Sequence, residues 1–443
     1  MRLATSIIAR LRETLVIDGA KILVVNVAGA GLAFISHILF ARWLSVESYG
    51  IYVFALSLFN ILFIAIQAGL NLSAVRLIAE YRARGNAAAM AGLVTFSNAA
   101  VLILGGFVAA VGCATIFFMR NDFAPELERT LIAVFALTII MALLQQRMAI
   151  LQGLERVLQS VLLFEILRPA LFLVTVWGVA RIWDLDSTAV MVANLLVTGA
   201  ILIGVLPYTR ASLRRVTARG EQTAPHWRNL LKVSLPYVAV TGITIVLTQM
   251  DVLMIGAILG PEQAALYNPA AKVALLAIFP MVAIRSRFAP MAVTLFTNKN
   301  TAALQARTTT ATLVSVLTCL CVLAIILPAR VPILDLFGPA YPGGASALVI
   351  LAIGNLIFSL SGAVEMFFLV GPFERFNALV ISLTLGLNIV LNALLIPELG
   401  IDGAAYSTVA ALIFRGALSG VIVYLRTGIL PMTQSAKREG GAA

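Results

Sequence analysis

Stretches of about twenty apolar residues recur along almost the whole chain, and nothing else in the sequence restricts the fold as much. Each is long enough to cross the hydrocarbon core of a bilayer as a helix. Twelve can be marked: roughly 20–41, 50–72, 89–118, 130–150, 159–181 and 188–208, then 233–259, 266–291, 309–328, 346–369, 377–396 and 403–425. Only 12% of the 443 residues are charged, whereas a soluble chain carries about 25%. The expected class is an all-α integral membrane protein.

An even number of spans puts both termini on one side. Segments on that side contain 21 Lys and Arg, the opposite loops contain 5, and the remaining 5 lie inside spans. By the positive-inside rule both termini are therefore expected in the cytoplasm. The net charge of +11 follows from this bias and does not call for a nucleic-acid partner. Residues 1–19 read as a basic, amphipathic cytosolic lead-in to a retained first span, because no small-residue cleavage site follows it. Cys113, Cys319 and Cys321 lie in apolar runs, with no metal or disulfide spacing.

A basic linker, 209–232, separates a first lobe (20–208) from a second (233–425), and 426–443 form a cytoplasmic tail. The lobes repeat. ARWLSVESYGIY from Ala41 aligns without gaps on GAILGPEQAALY from Gly256, matching Glu47 to Glu262 and Tyr52 to Tyr267. The same offset sets Asn26, Gly29, Ala33 and Ser36 against Thr241, Thr244, Thr248 and Asp251. Six-span repeats keep one orientation, so two lobes related by an axis along the membrane normal are expected, with a site near the midplane.

The stretch from Ser234 to Pro290 is the most informative. Ser234, Tyr237, Thr241, Thr244, Thr248 and Asp251 recur every three or four residues and form a polar stripe on a helix. The next span carries Lys272, Arg285 and Arg287 around Pro280. Each such charge costs roughly 2.5–3.5 kcal/mol at the bilayer centre unless it faces protein or a wet cavity. The stretch reads as the wall of a transport pathway.

Three passages are similar to the Wzx-type polysaccharide transporters of the MOP superfamily, which also contains the multidrug and toxin extrusion transporters. They are ARWLSVESYGIYVFALSLFNILFIAIQAGL, LTQMDVLMIGAILGPEQAALYNPAAKVALL and LNIVLNALLIPELGIDGAAYSTVAALI, the last with Ile396-Pro397 and Gly400 to Ala405. The resemblance implies a flippase of the bacterial cytoplasmic membrane. Its cargo would be a polyprenyl-pyrophosphate-linked oligosaccharide, carried between leaflets as two six-helix lobes rock. It also implies membrane lipids, a polysaccharide polymerase and export machinery as partners, with Na+ or H+ as coupling ion and no other cofactor.

Under that reading Lys272 and Arg287 bind pyrophosphate. Fifteen residues apart, they stand about 60° apart on a straight α-helix, while Arg285 points away. Both arginines can instead snorkel to headgroups. Arg42, in the ARWL segment, joins the cationic set at the outer mouth, whereas Arg76 fits a positive-inside role. Asp251 is the candidate coupling-ion ligand or a partner for Lys272. Thr241, Thr244, Thr248, Asn26, Asn60, Gln67 and Glu365 are candidate polar lining, with Asn71 beside Gln67 on one face. Threonines can also bond their own helix backbone. Glu365 continues Asn355, Ser359 and Gly362 along the tenth span, and neither it nor Arg415 has a local partner. Glu165 and Arg168 are expected to pair within the fifth span. Asn388 and Asn392 suit interhelical hydrogen bonds.

No phosphate-binding GxxxxGK[ST] motif is present, and no catalytic constellation stands out. Two other classes remain open. One is a cation-coupled exporter of amphipathic drugs, which five embedded cations against three embedded acids disfavour. The other is a membrane glycan polymerase or ligase, for which the longest outer loop offers only Arg330.

Overall fold

The computed structural model describes the backbone of residues 2–119, 123–217, 227–298, 300–362, 364–369 and 374–428. It also describes their side chains, except those of 2–18, 20, 214–217, 227–239, 282–283, 285–287, 289–290, 369 and 374–375. The protein is all-helical over these residues. Twelve helical segments among them are long and apolar enough to cross a membrane. In order these are Lys21–Trp43, Val46–Ala83, Ala87–Phe118, Pro125–Gly153, Val157–Val179, Ser187–Leu213, Val240–Ile258, Pro261–Met281, Thr301–Ile326, Tyr341–Ser359, Phe376–Leu399 and Ile401–Thr427. The chain divides into two compact units, Met1–Val238 and Ala239–Ala443.

Several boundaries differ from the hydropathy reading because helix geometry does not stop at the membrane surface. The lead-in is continuous with the first span in a single helix, Arg2–Trp43. The sixth span runs on to Thr217 and the seventh begins at Trp227, so most of the basic linker is helical extension; residues 218–226 lie outside the description. The tenth span stops at Ser359. Gly362 then packs against Met281, its absent Cβ only 2.7 Å from the sulfur, and Glu365 lies on a separate 3-10 turn, Val364–Leu369.

Three interruptions bear on function. In the second span, Ala68 (φ 44) and Gly69 (φ 68) take left-handed conformations directly after Gln67. Glycine does this freely, whereas alanine costs about 1–2 kcal/mol. In the fifth span, Leu162–Leu167 form a π-helical turn, and Gly29 of the first span fits against it, with an added Cβ lying 2.7 Å from the Glu165 carbonyl oxygen. In the eighth span a 3-10 turn, Leu276–Ile278, precedes Pro280. Three residues at about 120° instead of 100° add roughly 60° of rotation, so the straight-helix angle between Lys272 and Arg287 does not hold.

In the first unit the fourth span is central, packing on the second, third and sixth. Ile66, Leu70, Met90, Val101, Ala142 and Ile150 form an apolar core there. Glu126 ties three helix starts together. Its Oε1 accepts from the Ser187 N–H (2.8 Å) and hydroxyl (2.7 Å), and its Oε2 accepts from Ser48 Oγ at 3.2 Å. An anion at the N-terminus of the sixth span also meets the positive end of the helix dipole. In the second unit the twelfth span packs on the tenth and eleventh, and Ser346 donates to Asp402 at 2.7 Å.

Glu126→Gln should lower the melting temperature of the purified protein, since charged hydrogen bonds contribute about 1.5–3 kcal/mol each. Ala68→Gly should leave it unchanged or raise it. A thermal melt in detergent measures both.

Candidate functional site

The polar stripe of the seventh span ends at Asp251, which is buried. Four donors from three other helices converge on its carboxylate. Tyr267 Oη of the eighth span donates to Oδ2 at 2.8 Å, and the Thr408 hydroxyl of the twelfth also reaches Oδ2. From the eleventh span, Asn388 and Asn392 donate their amides to Oδ1 at 3.2 and 2.9 Å. The two asparagines can act together because residues four apart share a helix face. They also bond each other, Asn392 to Asn388 at 3.2 Å. A buried carboxylate is thus compensated by neutral donors. Asp251 does not pair with Lys272, as one reading of the sequence allowed.

Asp251 forms one wall of a cavity of about 230 Å³ within the second unit. Its lining is mostly apolar and includes Thr244, Thr248, Tyr267, Asn355, Phe358 and, farther along the twelfth span, Arg415. Thr244 and Thr248 donate to their own helix, at Val240 (2.7 Å) and Ile245 (2.9 Å). They give the cavity an edge of hydroxyl oxygens with those protons already committed.

Arg415 has a partner after all. Its Nε lies 2.6 Å from Glu365 Oε1 and its Nη2 donates to Oε2 at 3.0 Å, while the guanidinium stacks over Phe358. The pair is two-pronged, and Glu365 is almost fully enclosed. Fifty residues separate the two, so no local spacing could reveal it.

The first unit places a cation at a comparable junction. Arg168 Nη1 donates to Asn194 Oδ1 of the sixth span at 3.2 Å, and the guanidinium lies over Phe164. Its Nε is enclosed without a partner. The expected Glu165–Arg168 ion pair is not formed. The π turn holds more residues per turn than an α-helix and rotates the two side chains off a common face. Tyr52 stands within electrostatic reach of Arg168, as Tyr267 stands beside Asp251.

The other candidates are dispersed. Lys272 is half-buried, makes no ion pair or hydrogen bond among the described residues, and does not line the Asp251 cavity. The side chains of Arg285 and Arg287 lie outside the described residues. Arg42, Asn26 and Arg76 are exposed, and Asn60, Asn71 and Thr241 are half-buried. Gln67 is buried with its Nε2 unpartnered, one residue before the left-handed break. Sequence reasoning missed Arg147, counted there among the cytoplasmic-side cations. It is buried on the fourth span and donates to Asn98 at 3.1 Å. No group of three His, Cys, Asp or Glu among the described residues could hold a metal ion.

A family model described as polysaccharide biosynthesis protein matches residues 16–286. The chain belongs to that family. No curated protein matches it. The fold of this polysaccharide biosynthesis protein is also that of solved transporters. An inward-facing multidrug resistance MATE family transporter of the MOP superfamily superposes with a TM-score of 0.73 at 15% identity, over 92% of this chain and 96% of that one. A MOP superfamily transporter from Pyrococcus furiosus, whose binding pocket is described as reversed in polarity, gives 0.63 at 16% identity, over 91% and 93%. An outward-facing MATE transporter gives 0.61 at 14%, over 92% and 95%. The fold is thus shared with membrane transporters.

Arg415→Ala removes the cation that faces the enclosed Glu365 carboxylate, and breaking a buried ion pair from one side costs about 3–5 kcal/mol. It should lower the melting temperature sharply, and adding Glu365→Gln should restore most of the loss. An unchanged melting temperature in Arg415→Ala would show that the pair does not stabilise the second unit.

Proposed function

We propose that this family member moves a polyprenyl-pyrophosphate-linked oligosaccharide across the bacterial cytoplasmic membrane by alternating access, for polysaccharide assembly. Family membership supports the glycan class. The observation that carries the anionic part is Lys272, a cation within a membrane span that no carboxylate among the described residues neutralises. A charge held there at a cost of roughly 2.5–3.5 kcal/mol is offset when a diphosphate accepts its N–H groups. In this reading Arg285, Arg287 and Arg42 extend the cationic path. A polymerase and export machinery would take the delivered glycan.

Asp251 is the proposed coupling site. Its four donors come from the eighth, eleventh and twelfth spans, so a Na+ or H+ taken up by the carboxylate must release some of them. Ion binding would thereby loosen or tighten the contacts among four helices at once. That makes it a two-state element of the kind alternating access requires.

The Asp251 cavity favours a second reading, export of a small organic cation coupled to an ion gradient, because it pairs an acidic wall with an apolar lining. Reconstituted vesicles separate the two. With a labelled polyprenyl-pyrophosphate oligosaccharide, protein-dependent transfer between leaflets is expected, and an imposed Na+ or H+ gradient should accelerate it. Lys272→Ala should slow transfer about tenfold, the size of one lost charged hydrogen bond, without reducing membrane insertion. Asp251→Asn should abolish the gradient dependence. If the oligosaccharide stays put while a cationic dye is extruded, the drug-export reading replaces this one.

A further inference from the structure

The first unit carries a groove that the transport reading does not use. It runs between the fifth and sixth spans, has a volume of about 590 Å³, and is walled by Leu162, Leu163, Leu167, Ile201, Gly204 and Val205. From Gln159 to Leu167 it follows the fifth span for about 12 Å. Gly204 keeps it open, since a Cβ there would meet nothing within 4 Å.

One end is polar. Gln159 near the start of the fifth span and Tyr208 near the end of the sixth close the groove on the side that the basic-residue count places in the cytoplasm. Arg156 stands over the Tyr208 ring, 5.0 Å from its centroid, and its Nη1 donates to the Tyr208 hydroxyl. Because a guanidinium can only donate, the hydroxyl proton goes onward to Gln159 Oε1. That commits the Gln159 carbonyl oxygen and leaves its N–H2 as the donor at this end of the groove.

The acid next in sequence does not neutralise this end. Glu155 adopts a left-handed conformation (φ 63) and is taken by Arg82 at 3.0 Å. Arg156 makes no ion pair among the described residues. A strained non-glycine backbone thus turns one carboxylate away from a cation whose remaining N–H groups stay available.

We infer that this groove is a binding site for a bilayer phospholipid with an anionic headgroup. One acyl chain lies along the leucine wall, and Arg156 and Gln159 donate to the phosphate. An apolar channel ending in one uncompensated guanidinium and one amide matches a chain attached to a single phosphodiester. A pyrophosphate would call for more cations. Lipid tails gain nothing by leaving other lipid for the groove, so selectivity must come from the headgroup end.

Native mass spectrometry of the full chain in detergent, titrated with phosphatidylglycerol or phosphatidylcholine, tests this. The protein should retain phosphatidylglycerol in preference. Arg156→Gln should weaken that binding about fivefold, the effect of one basic residue at a headgroup. Gly204→Leu, whose Cβ meets nothing within 4 Å and whose side chain occupies the groove, should weaken both lipids equally. Gln159→Glu, at an exposed position, should abolish the preference even if Arg156→Gln fails to fold. Unchanged lipid retention in the Arg156 and Gln159 variants would overturn the inference. Displacement of phosphatidylglycerol by an equal concentration of polyprenyl pyrophosphate would also overturn it, and would assign the groove to the cargo.

Discussion

A charge inside a bilayer has no water to turn to, and that one cost organises the polar chemistry of this protein. Each embedded ionisable group whose surroundings are described solves it differently. Glu365 and Arg415 neutralise each other through two contacts and use Phe358 as a lid. Asp251 is held by neutral hydroxyl and amide donors. Arg168 shares an asparagine and an aromatic face. These solutions differ in how readily they change. An ion pair resists exchange, because either partner left alone is heavily penalised. Neutral donors around a carboxylate can release it to an incoming cation without stranding a second charge.

The two units carry the same junction with opposite charge. Asn194 stands seven residues into the sixth span and Thr408 seven into the twelfth, while Arg168 and Asn388 stand eleven and twelve into the fifth and eleventh. Tyr52 and Tyr267 already correspond in the repeated segment, as do Ser36 and Asp251. At the meeting of its first, second, fifth and sixth helices, each unit therefore has a tyrosine, a polar residue from the sixth helix and one ionisable group. In the first unit that group is the arginine of the fifth helix, and in the second it is the aspartate of the first. The repeated positions have been kept while the sign of the charge they hold has changed.

How much of this was visible in the sequence depends on the range of the interaction. The twelve spans were legible because hydrocarbon thickness sets a length that any single segment must meet alone. The Thr stripe and the Asn388–Asn392 pair were legible because helical spacing is local. Glu365 was misread for the same reason: its spacing from Asn355, Ser359 and Gly362 continued a helix that stops at Ser359, before Gly362 packs against Met281. The ring of donors around Asp251 draws on residues 16 to 157 positions away, and Arg415 meets Glu365 across 50, distances at which spacing carries no information. The π turn that parts Glu165 from Arg168 has no residue signature of its own. It can be inferred only from Gly29, whose missing side chain admits the Glu165 carbonyl.

A fold shared with drug exporters cannot say what is carried, since one scaffold serves many cargoes. The discriminating evidence is which embedded charges are already spent. Arg415 is committed to Glu365, and Arg168 gives one nitrogen to Asn194 and keeps another enclosed. Asp251 is saturated by its donors, so an organic cation would have to displace hydrogen bonds to reach it. Lys272 is different. Among the described residues it is an embedded cation with no acceptor at all, half-buried and outside the cavity that Asp251 lines. An embedded lysine whose charge is not yet spent favours an anion, whereas an acid already satisfied does not favour an organic cation. That asymmetry, rather than the shape of the helices, is what the proposed anionic cargo rests on.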